Sequence, residues 1–174
     1  MLIFLKFKER MKIVGLELLH TIALDILRYI PSKPFLCLPM SAMLYAVLKD
    51  EYNFETQLVT GNLSYKSQFI FKQDFSIPSS QDDTFFEWGG HAWVQIEDSI
   101  CDLSFFRTLY SDKFTKPCKP ELIQTFGQGR GFFIASRNQL HEMGFSYETI
   151  DYLSDDIASG IIKGFEKLPI LYEK

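Results

Sequence analysis

Apolar residues recur at helical spacing near the start of the chain. Val14, Leu18, Leu19, Ile22, Ile26 and Leu27 fall on one face and predict a first helix over about Glu9–Ile30. "PSKPF" then ends it, because proline has no N–H to donate and its ring clashes with the preceding turn. In the next run, "CLPMSAMLYAVLKDEY", Met40, Met43, Leu44, Val47 and Leu48 form a second helical stripe. Ala42 and Ala46 leave that helix little polar surface, and a helix apolar nearly all round is a central, buried one. Pro39 fits its first turn, where the missing N–H has no partner to lose.

After Phe54 the period shortens towards two. "FETQLVTGNLSYKSQFIFKQDF" predicts short strands with a turn near Gly61, and Ser76–Gly90 predicts a long loop. "HAWVQIEDSICDLS", His91–Ser104, reads as a hairpin. "SDKFTKPCKPE" is a proline-broken connection, and "GQGRGFFIAS" a glycine-rich turn entering another strand. Ser136 and Gln139 have the spacing of a capping box, with Gly144 as a helix stop. The remaining "SYETIDYLSDDIASGIIKGFEKL" is expected to be helical. The order of elements predicts one α+β domain over residues 1–174, with a core over about 9–135 and a helical C-terminal extension over about 136–174.

Composition narrows the function classes. The chain has 174 residues, enough for one full core, and 17 of them are Phe, so large rings should fill it. The net charge is −4 with no basic stripe, which argues against nucleic acid as a partner. No apolar run is long enough for a membrane span, and the opening "MLIFLKFKER" lacks the cleavage site of a signal peptide. Cys37, Cys101 and Cys118 form no disulfide framework and fit a cytoplasmic protein. His20, His91 and His141 lack the spacing of a structural zinc site; no metal and no cofactor are expected.

The candidate chemistry centres on His91. In an extended strand, His91, Trp93 and Gln95 point one way and Ala92, Val94 and Ile96 the other. The second set is the smoother apolar face, which leaves His91 on the side where a cleft could lie. A two-residue turn at Glu97-Asp98 would set Asp102 opposite Trp93, diagonal to His91 and within reach of a His–Asp bond. A turn at Asp98-Ser99 would separate them. A carboxylate on one ring nitrogen fixes the tautomer and steadies the imidazolium, leaving the other nitrogen to move a proton. Cys37 opens the central helix, where free N–H groups and the dipole favour a thiolate. Cys101 should point into the core beside Asp102, and Cys118 lies in a Pro-Lys loop. The plain alternatives are a buried structural cysteine, a packing histidine and a turn-capping aspartate. Trp88 and Trp93 are candidate substrate-binding walls or packing residues. His20 and His141 read as ordinary helix residues, and Asp151, Asp155 and Asp156 as a solvated helix face.

"CLPMSAMLYAVL", "QLVTGN", "GGHAWVQI" and "CDLS", in that order, resemble the transglutaminase-like superfamily of papain-fold cysteine enzymes, including bacterial transglutaminase-like cysteine peptidases. The resemblance spans roughly Pro34–Ser104. It implies a papain-like core in which the central helix bears the cysteine and packs on an antiparallel sheet. It also implies Cys37 as nucleophile, His91 as general base and acid, and Asp102 as orienting carboxylate. "SKPFLC" stands where arylamine acetyltransferases of that superfamily carry an Arg-Gly-Gly run, so the resemblance is to the superfamily as a whole. The implied activity is that of a thiol protease or related hydrolase acting on a peptide or protein amide, with transamidation as the other outcome. A catalytically inactive binding module for a protein or peptide is the alternative. The N–H of Cys37 or Leu38 would give one oxyanion donor, and Gln57, Asn62 and Trp88 are candidates for the second.

Overall fold

A computed structural model describes residues 2–74, 89–129 and 131–167, with side chains in the first helix described from Gly15. Helix α1 (Leu2–Tyr29) and helix α2 (Cys37–Asp50) come first. Strands β1 (Thr56–Tyr65), β2 (Gln68–Phe71), β3 (His91–Ile96) and β4 (Ser99–Asp102) follow. Next come α3 (Phe105–Leu109), α4 (Lys119–Phe126), β5 (Phe133–Ser136), α5 (Arg137–Glu142), β6 (Phe145–Leu153) and α6 (Asp155–Glu166). The chain is thus α+β, with an antiparallel sheet in the order β2-β1-β3-β4-β5 and β6 on the other side of β1.

The helices divide between the two faces of the sheet. Leu19, Ile22 and Ile26 of α1, Met40, Leu44 and Leu48 of α2 and Phe165 of α6 share one core with Leu58, Val94 and Leu153. The other face carries a second core. There Trp93, Ile100, Phe133, Phe145 and Tyr147 meet Phe105, Phe106, Leu122 and Leu140. This corrects the expected division of the β3 strand into one core face and one cleft face. The abundant Phe residues supply a second apolar layer, so alternating strand residues are buried on both sides. α2 forms as expected: Pro39, Met40, Ala42, Met43, Leu44, Tyr45 and Leu48 are all buried.

Two other expectations change. The turn expected near Gly61 is absent; Gly61 lies inside the ten-residue β1 and the chain reverses at Lys66-Ser67. Gly61 marks a register shift against β6 between Thr60 and Gly61, the usual meaning of a glycine inside a strand. The tail is not a helical extension either. Phe145–Leu153 is a strand paired with β1 from Leu58 to Tyr65, and only α5 and α6 around it are helical. Its buried positions Phe145, Tyr147 and Leu153 face the two cores, while Glu148 and Tyr152 stay exposed. β-Favouring Tyr147, Thr149, Ile150 and Tyr152 outweigh the helical reading once β1 offers an edge. The capping box at Ser136 and Gln139 and the stop at Gly144, with φ of +90°, are present as expected.

Asp151 therefore sits on a strand, where it accepts a bond from the Gln73 amide. Asp155 opens α6, where it is exposed and pairs with Lys49 and Tyr45 of α2, so Asp155 and Asp156 keep the solvated-helix reading and Asp151 does not. His20 and His141 lie exposed on α1 and α5. Among the described residues no helix is long and apolar enough to cross a membrane.

Candidate active site

The β3–β4 register brings His91 and Asp102 together. Val94 pairs with Cys101, Gln95 with Ile100 and Ile96 with Ser99, leaving Glu97-Asp98 as the two-residue turn. Glu97 takes the left-handed conformation that such a turn needs, with φ of 51°. His91 Nε2 lies 2.6 Å from Asp102 Oδ2, and the two side chains are 1% and 0% exposed.

Every acceptor position of Asp102 is used. Oδ1 accepts from the Ser104 N–H at 2.9 Å, the Ser104 hydroxyl at 3.1 Å and the Phe105 N–H at 3.1 Å. Oδ2 accepts from the Tyr147 hydroxyl at 2.8 Å as well as facing His91. Asp102 thus satisfies the free N–H groups at the start of α3 and also holds the histidine; capping and orienting are one arrangement. Burial alone would raise the carboxyl pKa, but the His91 cation and the hydrogen bonds from Ser104 and Tyr147 lower it overall. Burial by itself would likewise lower the His91 pKa. Asp102, with Cys37 as a further contributor, outweighs it and raises the value to about 10.

Cys37 is half-buried and occupies the first position of α2. Its thiol lies close enough to the His91 ring to contribute to the raised pKa of that ring. Because Nε2 is committed to Asp102, Nδ1 is the nitrogen left to exchange a proton with the thiol. Nδ1 is buried and has no hydrogen-bond partner among the described residues; catalytic contacts often tighten only when substrate is bound. The other cysteines are unlike it. Burial, then the nearby Asp102 charge, push the Cys101 thiol up to about 12. Cys118 does lie at a helix start, capping α4, which corrects the loop expected there; it is 7% exposed, and burial raises its pKa.

Four contacts that local sequence patterns do not reveal support this group. The Phe71 ring stacks on the His91 ring at 4.8 Å between centroids, 6° from parallel, a geometry that favours a ring cation. Tyr147 arrives from β6. Thr108 of α3 accepts the Phe35 N–H at 3.2 Å, just before the nucleophile, where Phe35 has a positive φ of 62°. Arg107 donates to the carbonyls of Leu27, Ile30 (2.9 Å) and Pro31 (3.0 Å). α3 follows Asp102 directly, so it ties the loop leading to Cys37 to the strand bearing the carboxylate. The Asp-Leu-Ser sequence at residues 102–104 carries a visible signal for the aspartate's turn bonds. The contacts of Phe71, Arg107 and Tyr147 depend on pairings far along the chain.

Arg107→Ala is expected to cost about 2–3 kcal/mol, the order of one set of bonds to a charged donor. Arg107→Lys should recover little of it, because one ammonium cannot replace a planar fork reaching three carbonyls. Urea unfolding of the two variants against wild type measures both effects.

Trp93 is fully buried, edge-on to Tyr147 at 5.2 Å between centroids, so it packs the second core and forms no open cleft wall. Trp88 lies outside the described residues, as does most of the loop expected at Ser76–Gly90. Asn62 has one amide N–H donating to Glu148, and its carbonyl accepts from the Gln73 N–H. Gln57 is exposed on β1. The first N–H groups of α2 have no acceptor within the helix, and Leu36 offers no side-chain cap, so the Cys37 and Leu38 N–H groups remain available to an oxyanion. Among the described residues no group of three or more His, Cys, Asp or Glu side chains is placed to hold a metal ion. Compared with protein-family models, with curated proteins and with solved structures, the chain matches none of them.

Proposed function

We propose that the protein is a cysteine-dependent acyl-transfer enzyme acting on an amide or peptide bond, with a core like that of the transglutaminase-like superfamily. The observation that carries this reading is the fully buried His91–Asp102 pair at 2.6 Å with the Cys37 thiol beside the same ring. A buried charged pair is costly to assemble, and a packing histidine requires neither a carboxylate on one nitrogen nor a half-buried thiol nearby.

The reaction follows from the geometry. Cys37 passes its proton to His91 Nδ1, and the thiolate sulfur attacks the substrate carbonyl carbon. The carbonyl oxygen takes the negative charge and is met by the Cys37 and Leu38 N–H groups. The C–N bond breaks as Nδ1 returns the proton to the leaving amine, which departs and leaves a thioester on Cys37. Water then attacks the thioester while Nδ1 accepts its proton. The C–S bond breaks, the carboxylic acid is released and Cys37 recovers its proton. An amine in place of water gives transamidation; hydrolysis is the default because water is always present. The three free cysteines support a reducing compartment such as the cytoplasm.

A panel of peptidyl chloromethyl ketones and vinyl sulfones, read by intact mass and peptide mapping, tests the reading. One adduct per chain on Cys37 is expected, lost in Cys37→Ser and strongly reduced in His91→Gln. Failure of the whole panel to label Cys37, with peptides still binding reversibly, would favour a non-catalytic binding module.

A further inference from the structure

Tyr147 is a residue that the proposed chemistry does not by itself require. Its side chain is buried, and among the described residues its hydroxyl has one polar partner, Asp102 Oδ2, at 2.8 Å. That oxygen is also the one facing His91 Nε2 at 2.6 Å. Two donors therefore share one oxygen, while Oδ1 has three donors of its own from Ser104 and Phe105. The Tyr147 ring is fixed from outside the site: it packs against Trp93 at 5.2 Å, and its backbone carbonyl accepts from Arg137 at 2.7 Å.

We propose that Tyr147 is a positioning residue that weakens the hold of Asp102 on the His91 imidazolium by donating a hydrogen bond to the same carboxylate oxygen. This rests on the acyl-transfer reading and deepens it. A histidine that must protonate a leaving amine works best when its own basicity is not far above the working pH. An unshared carboxylate in a dry site would hold the ring as a cation to still higher pH. A second donor on Oδ2 draws off part of its charge and fixes its direction. Burial, followed by the Asp102 charge, keeps the phenol protonated well above its ordinary range, so it remains a donor throughout the His91 titration. Among the described residues, the groups that face the pair are Cys37 at the ring, Ser104 and Tyr147 at the carboxylate, and the uncharged rings of Phe71 and Trp93. Cys101, next to Asp102 in sequence, belongs to the core on the other face.

The test is the titration of the His91 ring by NMR in 15N-histidine-labelled protein, in wild type, Tyr147→Phe, Ser104→Ala and Cys37→Ala. Tyr147→Phe keeps the ring and removes the donor. Its His91 midpoint is expected to rise by about one pH unit, the size of one hydrogen bond to a charged group. Ser104→Ala removes a donor from the other oxygen and should raise the midpoint by less. An unchanged or lowered midpoint in folded Tyr147→Phe overturns the proposal. So does a Ser104→Ala shift as large as that expected for Tyr147, which remains decisive if the phenylalanine variant does not fold. A purely structural role would lower the melting temperature without moving the midpoint. Cys37→Ala separates the two claims: a midpoint unmoved by loss of the thiol counts against the Cys37–His91 pair, whatever Tyr147 does.

Discussion

His91→Ala is expected to lower stability by about 3–5 kcal/mol near pH 6, because it leaves the Asp102 carboxylate buried without its cationic partner. The remaining donors from Ser104, Phe105 and Tyr147 solvate that charge only in part. His91→Gln should recover a substantial share, since its amide can donate to Asp102 Oδ2 without titrating. The pH dependence has a fixed sign. The folded-state pKa of His91 is raised to about 10, so its contribution is fully present below its unfolded value of roughly 6.5. That contribution is lost as pH rises through about 10. The folded-state pKa of Asp102 is lowered, so its contribution is present above its unfolded value of roughly 3.9 and is lost as pH falls through the lower folded value. The gap between wild type and His91→Ala should therefore be widest between about pH 4 and 6.5 and close at both extremes. Urea unfolding at a series of pH values reads it directly. A gap that does not vary with pH would mean that the pair is not held as ions.

Gly61→Ala should be comparably damaging for a different reason. A Cβ added there would lie 1.9 Å from the Glu148 carbonyl oxygen and 3.1 Å from the Ile150 N, both backbone atoms. Neither can swing away as a side-chain end would, so β1 and β6 must part at the bulge. We expect a loss of about 3 kcal/mol or more, at or above the upper end for overpacking. The effect should reach the site, because Gly61 pairs with His91 on one side and Thr149 on the other, two residues from Tyr147. The Gly61→Ala variant should show a lower melting temperature together with slower Cys37 alkylation. A variant as stable as wild type would contradict the strand pairing described here.

What could be read from the sequence was local. Pro31 and Pro34 end α1, Pro39 is tolerated in the first turn of α2, and the apolar run behind it marks a buried helix; these place Cys37 at a helix start. The His91–Asp102 pair follows from strand alternation once the turn falls at Glu97-Asp98, a register that decides the site and that Glu-Asp signals only weakly. The contacts that complete the site are not local. Tyr147 and Asp102 are 45 positions apart, and Arg107 meets the end of α1 across 76 to 80 positions. β6 was hidden because Glu148 and Asp151 interrupt its apolar residues, and its register against β1 depends on a glycine bulge. Gly61 read as a turn for the same reason that it serves as a bulge: it lacks a Cβ. The burial of Trp93 was masked because the second face is covered by Phe105, Phe106 and Phe133, which come later in the chain.

The central claim is that Cys37 and His91 share a proton. Its most direct test is the rate of iodoacetamide alkylation at each cysteine, followed by mass spectrometry from pH 5 to 10 in wild type and His91→Gln. Cys37 should react fastest and continue to react well below pH 8.5, roughly the free-thiol value, with that acid-side reactivity lost in His91→Gln. Cys101 and Cys118, whose thiols are buried and raised, should react slowly in both proteins. A Cys37 profile identical in the two proteins, or a Cys37 no more reactive than Cys118, would contradict the account.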